Sequence, residues 1–571
     1  MDKKHLAFVL ALMIIGLNAY SQIFINGHRT VLDSITNNLL CPVKRSAFGV
    51  DLRATVTFEQ DTTPIIIEGT TVHSGDVYTF ESIEANKEWI IDTDEGTRYL
   101  TFTYLPVLVL NGNFGMEYSN ATLQWLDPND YDDIPFTARV KWRGGSTNTF
   151  KSNKRNFHIK LIDSDGNKAE RSFMGLRNDN SWILDAGQID FFRMRNRVAT
   201  ELWNDLCHKP YYADKEPKAL SGVRGKMIEV FVNNRYNGCY AFTEAMDRKE
   251  LKLKKFNAET GEIHGQLWKG KDLTTITAFN DFMPYDNLQE TWYGFETKYP
   301  ELKDISPLDY SILGNAVLFG DTCSIFDFNS KADNYFDMPV MIDYNILLQV
   351  LMGIDNYGKN IYWCCYDRNT DKRLSLAVWD FDVSMGNCWD PKDPHPFIAQ
   401  PTYDFEFPNG IFEKISSAQS IYWKPSVKRY RELRHGVLDP ENLKQRYIDA
   451  FNNLNDCGAV EREQQRWSRN SDLSGKPLDI KAELNYICNW IDQRIDFIDN
   501  NFFVEPLNGD VNNDKVVDIA DLNDLINIIL SYGKDGIMAN ASGDINGDGI
   551  VDIADVSSII NIILNIRQQY R

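Results

Sequence analysis

Apolar and polar positions alternate differently along three stretches of the chain. From Gln22 to about Thr103, short β-type runs such as Thr55-Val56-Thr57-Phe58 and Pro64-Ile65-Ile66-Ile67 are separated by clusters of Asp, Gly, Thr and Ser, the pattern of strands joined by turns. A small all-β domain over residues 22–103 follows, with a spacer or binding role. The run Leu105 to Leu110 opens a second stretch in which strand and helix patterns mix as far as Phe503. Ala138 to Gly145 reads as a strand ending in glycines, and Asn156 to Leu161 as a second alternating strand. Ile228 to Val232 and Cys239 to Thr243 read as a hairpin across a turn from Asn233 to Gly238. Phe192 to Leu206 has a helical period, and Asp439-Pro440-Glu441-Asn442 supplies a capping Asp and a Pro at the first helical position. Residues 104–503 are therefore expected to be α+β, with helices gathered toward the C-terminal half.

The third stretch, residues 506–571, repeats itself. Asp510, Asn512, Asp514, Asp518 and Asp521 occupy loop positions 1, 3, 5, 9 and 12, and Asp544, Asn546, Asp548, Asp552 and Asp555 repeat the pattern 34 residues later. Such spacing turns successive oxygens toward one hard cation, with the Val516 or Ile550 carbonyl at position 7, and calcium fits best. Each loop runs into an apolar helix, Leu522 to Leu530 and Val556 to Leu564. One acidic loop alone leaves a solvated turn as the minority alternative; two in tandem point to two calcium ions. Position 6 is Lys515 in the first loop and the usual Gly549 in the second, so the first site is expected to be weaker or strained.

The opening Met-Asp-Lys-Lys-His, the apolar run Leu6 to Leu17 and the small residues of Ala19-Tyr20-Ser21 read as a signal peptide over residues 1–21. The run falls short of the roughly 20 apolar residues of a membrane span. The expectation is a secreted or cell-surface protein with no transmembrane span in the mature chain. Hydrophobic residues at 43% and 13 Trp in 571 residues supply several packed cores. A formal charge of -21 repels phosphate backbones and argues against nucleic acid as a partner. The nine Cys are odd in number and irregular in spacing, which is neither a disulfide framework nor a zinc site.

The duplicated loop and helix, with Asp at position 12 of an EF-hand-like loop, resembles a type I dockerin. That resemblance implies calcium-dependent binding to a cohesin-like protein. Positions 10 and 11 hold Ile519-Ala520 and Ile553-Ala554, where the family often carries hydroxyl residues, so a more apolar partner face is expected. The repeated pair makes binding in two symmetry-related orientations conceivable.

The large domain offers a different chemistry. Phosphoryl transfer needs a carboxylate near the acceptor hydroxyl, an amide and a second carboxylate on metal ions, and a Lys on the phosphates. Gly353 to Asn360 places Asp355 and Asn360 at a D-x-x-x-x-N separation, and the strand Leu374 to Trp379 delivers Asp380-Phe381-Asp382. With Lys141 to Thr147, Lys154 to Leu161, Met194 to Arg197 and Gly238 to Glu244, these pieces resemble the CotH kinase family of spore-coat-type atypical protein kinases, over roughly Leu105 to Phe503. The resemblance implies a divergent protein-kinase-like domain that takes ATP with magnesium and transfers the γ-phosphate to Ser/Thr hydroxyls of an unknown acceptor protein.

On that basis Asp355 is the candidate base, Asn360 and Asp380 are metal ligands, and Asp382 is a supporting carboxylate. Lys160 is the choice for the phosphate lysine, with Lys154 as competitor. Glu201 would pair with that lysine, and Glu244 would lie near the adenine-side hinge. Each residue also has a plainer reading: Asp355 as a turn cap, Lys160 and Glu201 as solvated charges, Trp379 as core, Arg195 and Asn196 as structural. The order of the pieces carries the functional reading. The rival is a non-catalytic surface, adhesion or complex-assembly protein on the same fold. The expected architecture is thus multidomain α+β: an N-terminal all-β domain, a kinase-like α+β domain and a C-terminal two-repeat EF-hand-like calcium module.

Overall fold

Strand periodicity at the N-terminus has a direct structural counterpart. In the strand Leu52–Phe58 the side chains of Ala54, Val56 and Phe58 point inward, and Val56 and Phe58 stand opposite Ile25 and Ile23 of the neighbouring strand. The structure, a computed structural model, describes residues 22–58, 63–130, 135–145, 154–388, 395–400, 408–417, 419–468, 477–504, 507–512, 514, 516–532, 537–538, 543–548 and 550–569. The expected signal peptide, Ser146-Thr147, Lys515 and Gly549 lie outside these residues. Two units emerge. The first takes the chain up to Gln188 with Lys226–Thr243 and Ala450–Ile480; the second takes Ile189–Gly225, Glu244–Asp449 and Lys481 onward.

The first unit begins with two packed sheets. One has the order His28–Arg29, Ile23–Ile25, Leu52–Phe58, Val77–Phe80. The other runs Val31–Leu32, Asn38–Pro42, Gly96–Thr103, Trp89–Thr93, Ile65–Ile67, Thr70–Val72, with Gly96–Thr103 parallel to Asn38–Pro42. Between them Phe80, Trp89 and Phe102 meet edge to face, with ring centroids 5.1–5.7 Å apart. An N-terminal all-β region is therefore present.

Seven strands then close a barrel: Val107–Gly112, Ser119–Leu126, Phe136–Arg143, Asn156–Ile162, Ser181–Asp185, Arg235–Glu244 and Gly225–Val232. Closure comes from Val107–Gly112, which pairs antiparallel with Ser119–Leu126 and parallel with Gly225–Val232. The interior is aromatic, and Trp182 stacks on Phe242 with centroids 4.9 Å apart. The expected hairpin turn shortens to Asn233-Asn234, both at positive φ, because Asn tolerates the left-handed region and lets Arg235 begin the return strand. Val31 and Leu40 of the N-terminal sheet share a core with Val107, Val109, Leu126, Phe231 and Tyr236 of the barrel. The N-terminal region is thus packed onto its neighbour, more than a tethered spacer requires.

The second unit holds a five-stranded sheet in the order Thr291–Trp292, Phe295–Tyr299, Gln266–Gly270, Ile361–Cys365, Ser375–Val378. Helices surround it, among them Arg195–Leu206, Met338–Leu351 and Ile480–Asn501. Met338–Leu351 is buried on nearly every side, its mostly apolar sequence interrupted by buried Asp343, Asn345 and Gln349. Pro440–Asn455 starts where its sequence signal lies: the Asp439 Oδ1 accepts the N–H groups of Glu441 and Asn442 at 3.0 and 3.3 Å. In the tail, Ile519–Tyr532 and Ile553–Gln569 close on a core of repeat-related residues, Val511 with Ile545 and Leu525 with Ile559. Ile550–Val551 pairs with Ile537–Met538 of the connecting segment. No helix among the described residues is long and apolar enough to cross a membrane.

Trp182 is fully buried among Phe173, Phe242 and the barrel strands. Trp182→Ala is expected to cost about 3–5 kcal/mol in chemical denaturation of the purified chain, since the void cannot collapse within a closed barrel.

Candidate functional site

The helix Met338–Leu351 ends at Met352 in the left-handed region, which breaks the helix and starts the loop carrying Asp355. The chain then enters the strand Ile361–Cys365, returns along Ser375–Val378 in the register Ile361 opposite Val378, and leaves that strand at Trp379-Asp380. Both carboxylate-bearing segments therefore sit at the same end of one hairpin. The loop is held against the neighbouring strand by glycines in close contact: a Cβ on Gly270 would stand 2.1 Å from the Gly358 carbonyl oxygen, and Asn360 N–H donates to the Gly270 carbonyl at 2.8 Å.

Within this loop Asp355 is nearly buried and accepts from Lys359 Nζ at 2.5 Å and from Asn360 Nδ2 at 3.1 Å. Burial raises the Asp355 carboxyl above its ordinary range, against the pull of Lys359 and Asn360. Lys359 in turn sits in the field of Asp355, Asp380 and Asp382, which together outweigh the cost of its burial and raise its pKa. Lys359 thus bonds Asp355 and feels the charges of Asp380 and Asp382, while Asn360 bonds the same Asp355 oxygen. Lys359 itself was missed by the sequence reading; its separation of four residues from Asp355 was the available signal.

Three amide side chains fix the Asp380 turn from different sides. Asn356 Nδ2 donates to the Trp379 carbonyl at 2.9 Å and the Asp380 carbonyl at 3.4 Å. Asn196 Oδ1 accepts the Phe381 N–H at 3.0 Å, and Asn387 Nδ2 donates to the Asp382 carbonyl at 2.7 Å. Asp380 and Asn360 both have φ near +60°, at 61° and 62°, a strained state that needs such surrounding support. Asn196 stands next to Arg195, whose fully buried guanidinium donates to Asp190 at 2.6 Å and to Glu483. His395 Nε2 lies 2.9 Å from the same Glu483 oxygen. Burial raises Glu483, but Arg195 and His395 outweigh it and hold the carboxyl at about 2. Asp190, at the same guanidinium, is held above its ordinary range because burial outweighs Arg195 there. One cation thus serves two buried carboxyls unequally.

The remaining candidates meet other partners. Lys160 is exposed on Asn156–Ile162 with its ammonium 4.8 Å from the Tyr118 ring centroid, and half-exposed Glu201 bonds Arg197 one helical turn before it, at 3.2 Å. The resemblance implies a lysine–glutamate pair. Strand alternation explains Lys160: with Phe157, Ile159 and Leu161 facing the barrel interior, position 160 must face outward. The buried pair of that chemistry is Lys154 with Glu463, at 2.6 Å and both without solvent exposure. Lys154 Nζ also donates to the Cys239 carbonyl at 2.8 Å, and Glu463 accepts the Cys239 N–H at 2.8 Å. Gly238 is obligatory beside them, since a Cβ would fall 2.0 Å from Glu463. Nothing local in the sequence marks Glu463, which lies 309 residues from its partner. Glu244 is fully buried and accepts from Arg224 through both oxygens, at 3.1 and 2.6 Å, so its carboxylate neutralises an arginine.

In the tail, carboxylate oxygens of Asp510, Asp514 and Asp521 lie within 4.8 Å of one another. Asp521 Oδ1 accepts the N–H groups of Val511 and Asn512, and its Oδ2 that of Asp518. Asp555 repeats this with Ile545, Asn546 and Asp552. Hard oxygen donors converge, Asp510 and Asp521 are buried, and like charges so placed need a cation, so the set fits calcium. Asn512 and Asp514, with Asn546 and Asp548, bond each other within the loops. Asp518 and Asp552 cap the following helices through Ala520 and Ala554 N–H. Asp544 accepts the Gly547 N–H at 2.8 Å, shaping the second loop.

A carboxyl depressed on folding stabilises above its unfolded range and loses that contribution as pH falls through the folded value. Stability should therefore drop by on the order of 3 kcal/mol between about pH 4.5 and pH 2 through Glu483, and Glu483→Gln should remove that part of the slope in urea melts at stepped pH. For the tail, Asp510→Ala with Asp544→Ala should abolish the calcium-linked gain of helix seen by circular dichroism.

Two family models match the chain: Dockerin type I domain over residues 508–564 and CotH kinase protein over residues 140–498. No match among the curated proteins is found. A dockerin domain implies calcium binding, which the acidic loops fit. The second match spans well over half of the 571 residues and contains the Asp355 loop, the Asp380 turn and the amides that hold it, so the chain belongs to the CotH kinase protein family.

Proposed function

We propose that the chain is an exported protein kinase, dependent on ATP and magnesium, that phosphorylates protein Ser/Thr hydroxyls and is attached to a cohesin-bearing partner by its calcium-loaded tail. The observation that carries this reading is the Asp355 loop and the Asp380 turn leaving the same end of one hairpin, with Lys359 and Asn360 both bonded to Asp355 and the charges of Asp380 and Asp382 acting on Lys359. Bound magnesium would neutralise phosphate charge. Asn360 and Asp380 supply the hard oxygens that would hold it, with Asp382 beside them. Asp355 would accept the proton of the acceptor hydroxyl, and Lys359 would keep Asp355 oriented. For the lysine of the phosphates, Lys154 with Glu463 matches the chemistry of a carboxylate-paired lysine better than Lys160 does. A signal peptide over residues 1–21 would export the chain. One observation favours the non-catalytic assembly reading: Asp355 already shares an oxygen with Lys359 and Asn360.

The purified chain, incubated with magnesium and γ-labelled ATP, should transfer label to itself or to an added acceptor protein. Asp355→Ala and Asp380→Ala should each lower transfer by about 100-fold or more. No transfer, together with no nucleotide binding by calorimetry, would leave the assembly reading in its place.

A further inference from the structure

We infer that Lys269 is a further catalytic residue of phosphoryl transfer, its ammonium binding an oxygen of the γ-phosphoryl group as that group passes from ATP to the acceptor hydroxyl. This role rests on the kinase reading of the Asp355 site. Lys269 lies half-buried on Gln266–Gly270, the central strand of the five-stranded sheet. In register it stands opposite Tyr362, and Tyr362 stands opposite Ala377 of the next strand, two residues before Trp379. Residues directly opposite share a face of the sheet. The Lys269 ammonium lies 5.5 Å from the Tyr362 ring centroid and 5.7 Å from that of Trp379, two buried rings that meet edge-on 6.0 Å apart. It is therefore drawn along the row toward the end of the hairpin from which Asp380 leaves. Glu296, opposite Lys269 on the side away from the hairpin, pairs with Lys298 at 2.7 Å.

The Asp355 loop is fastened to the same strand one residue further on. The Gly270 carbonyl accepts the Asn360 N–H at 2.8 Å, and a Cβ on Gly270 would stand 2.1 Å from the Gly358 carbonyl oxygen. Backbone contacts thus set the spacing between Lys269 and the loop, and the Lys269 charge favours the ionised form of Asp355. Lys359 bonds Asp355 directly and so serves the base. Lys269 comes from outside the loop, on a central strand, the kind of rigid support that positions a catalytic group.

In the transfer the acceptor oxygen bonds the γ-phosphorus, and the bond from that phosphorus to the bridging oxygen breaks. ADP leaves with the electron pair, and the hydroxyl proton passes to Asp355. The outer γ-oxygens carry the charge of a loose, metaphosphate-like transition state. The charges of Asp355, Asp380 and Asp382 all act at this site, and a fixed cation offsets their repulsion of those oxygens. A lysine ammonium suits the task as a compact point charge with three donors, and aromatic walls hold it by attraction to their ring faces. The carboxylate-paired lysine of a kinase serves the α- and β-phosphates, so Lys269 adds to that lysine and does not replace it.

Titration calorimetry of the full-length chain with magnesium compares β,γ-imido-ATP, which has the γ-group but does not transfer it, with ADP, which lacks it. Lys269→Met should weaken binding of the analogue about tenfold and leave that of ADP unchanged. It should also lower kcat for label transfer about 100-fold at an unchanged melting temperature, with Lys269→Arg recovering part of both effects. Should Lys269→Met melt early, the wild-type chain decides: the bound analogue, but not ADP, should shield Lys269 from acetylation by an N-hydroxysuccinimide ester, read by mass spectrometry. A folded Lys269→Met with an unchanged ratio of analogue to ADP affinity, or equal acetylation of Lys269 under both nucleotides, would overturn the role of Lys269 and leave the kinase reading standing. A wild-type chain that binds neither nucleotide and transfers no label would overturn both.

Discussion

A buried ion pair ties the first unit together. Lys154 and Glu463 meet at 2.6 Å without solvent exposure, and either charge alone in that place would cost several kcal/mol. Each must therefore come to the other, and the segment around Glu463 is drawn onto the barrel from the far end of the sequence. The same glutamate accepts the Cys239 N–H, and Gly238 leaves it room. Arg462, its neighbour, is bound to buried Glu229 at 2.8 Å and reaches Asn86 of the N-terminal sheets. One short helix, Ala459–Trp467, thus carries charges that join strands otherwise distant in sequence.

In the second unit the corresponding constraint is a strained turn. Asp380 is held at positive φ by amides from three separate segments, at Asn196, Asn356 and Asn387. Amides suit this work because they donate and accept without adding charge beside the carboxylates. Arg195 and Glu483 fix the start of the helix that bears Asn196. The support reaches outward from the turn through the helix Arg195–Leu206 to Glu483 on Ile480–Asn501, which is how a rigid site is built on loops.

The tail solves a smaller version of the same problem. Its helices draw most of their stability from packing, and the repeat gives each the same core partner in the other copy. Ile519 and Ile553 are left strongly exposed at equivalent positions. The duplication thus sets the same apolar residue on the surface twice.

Local rules fixed much of this from the residues alone. Strand alternation, the Asp439 cap and the two acidic loops depend on neighbours within a few positions, so their outcomes were legible without a fold. So was the order of Asp355, hairpin and Asp380, because a short connection leaves the chain few alternatives. The lysine and its partner were not. Lys154 and Lys160 are equally charged and six residues apart; their fates differ because one lies where a carboxylate arrives from 309 residues away, while strand alternation turns the other outward. The role of the three asparagines was hidden for the same reason. A hydrogen bond between distant segments leaves no period in the sequence, and only the closed barrel and the packed helices decided which charges were buried together.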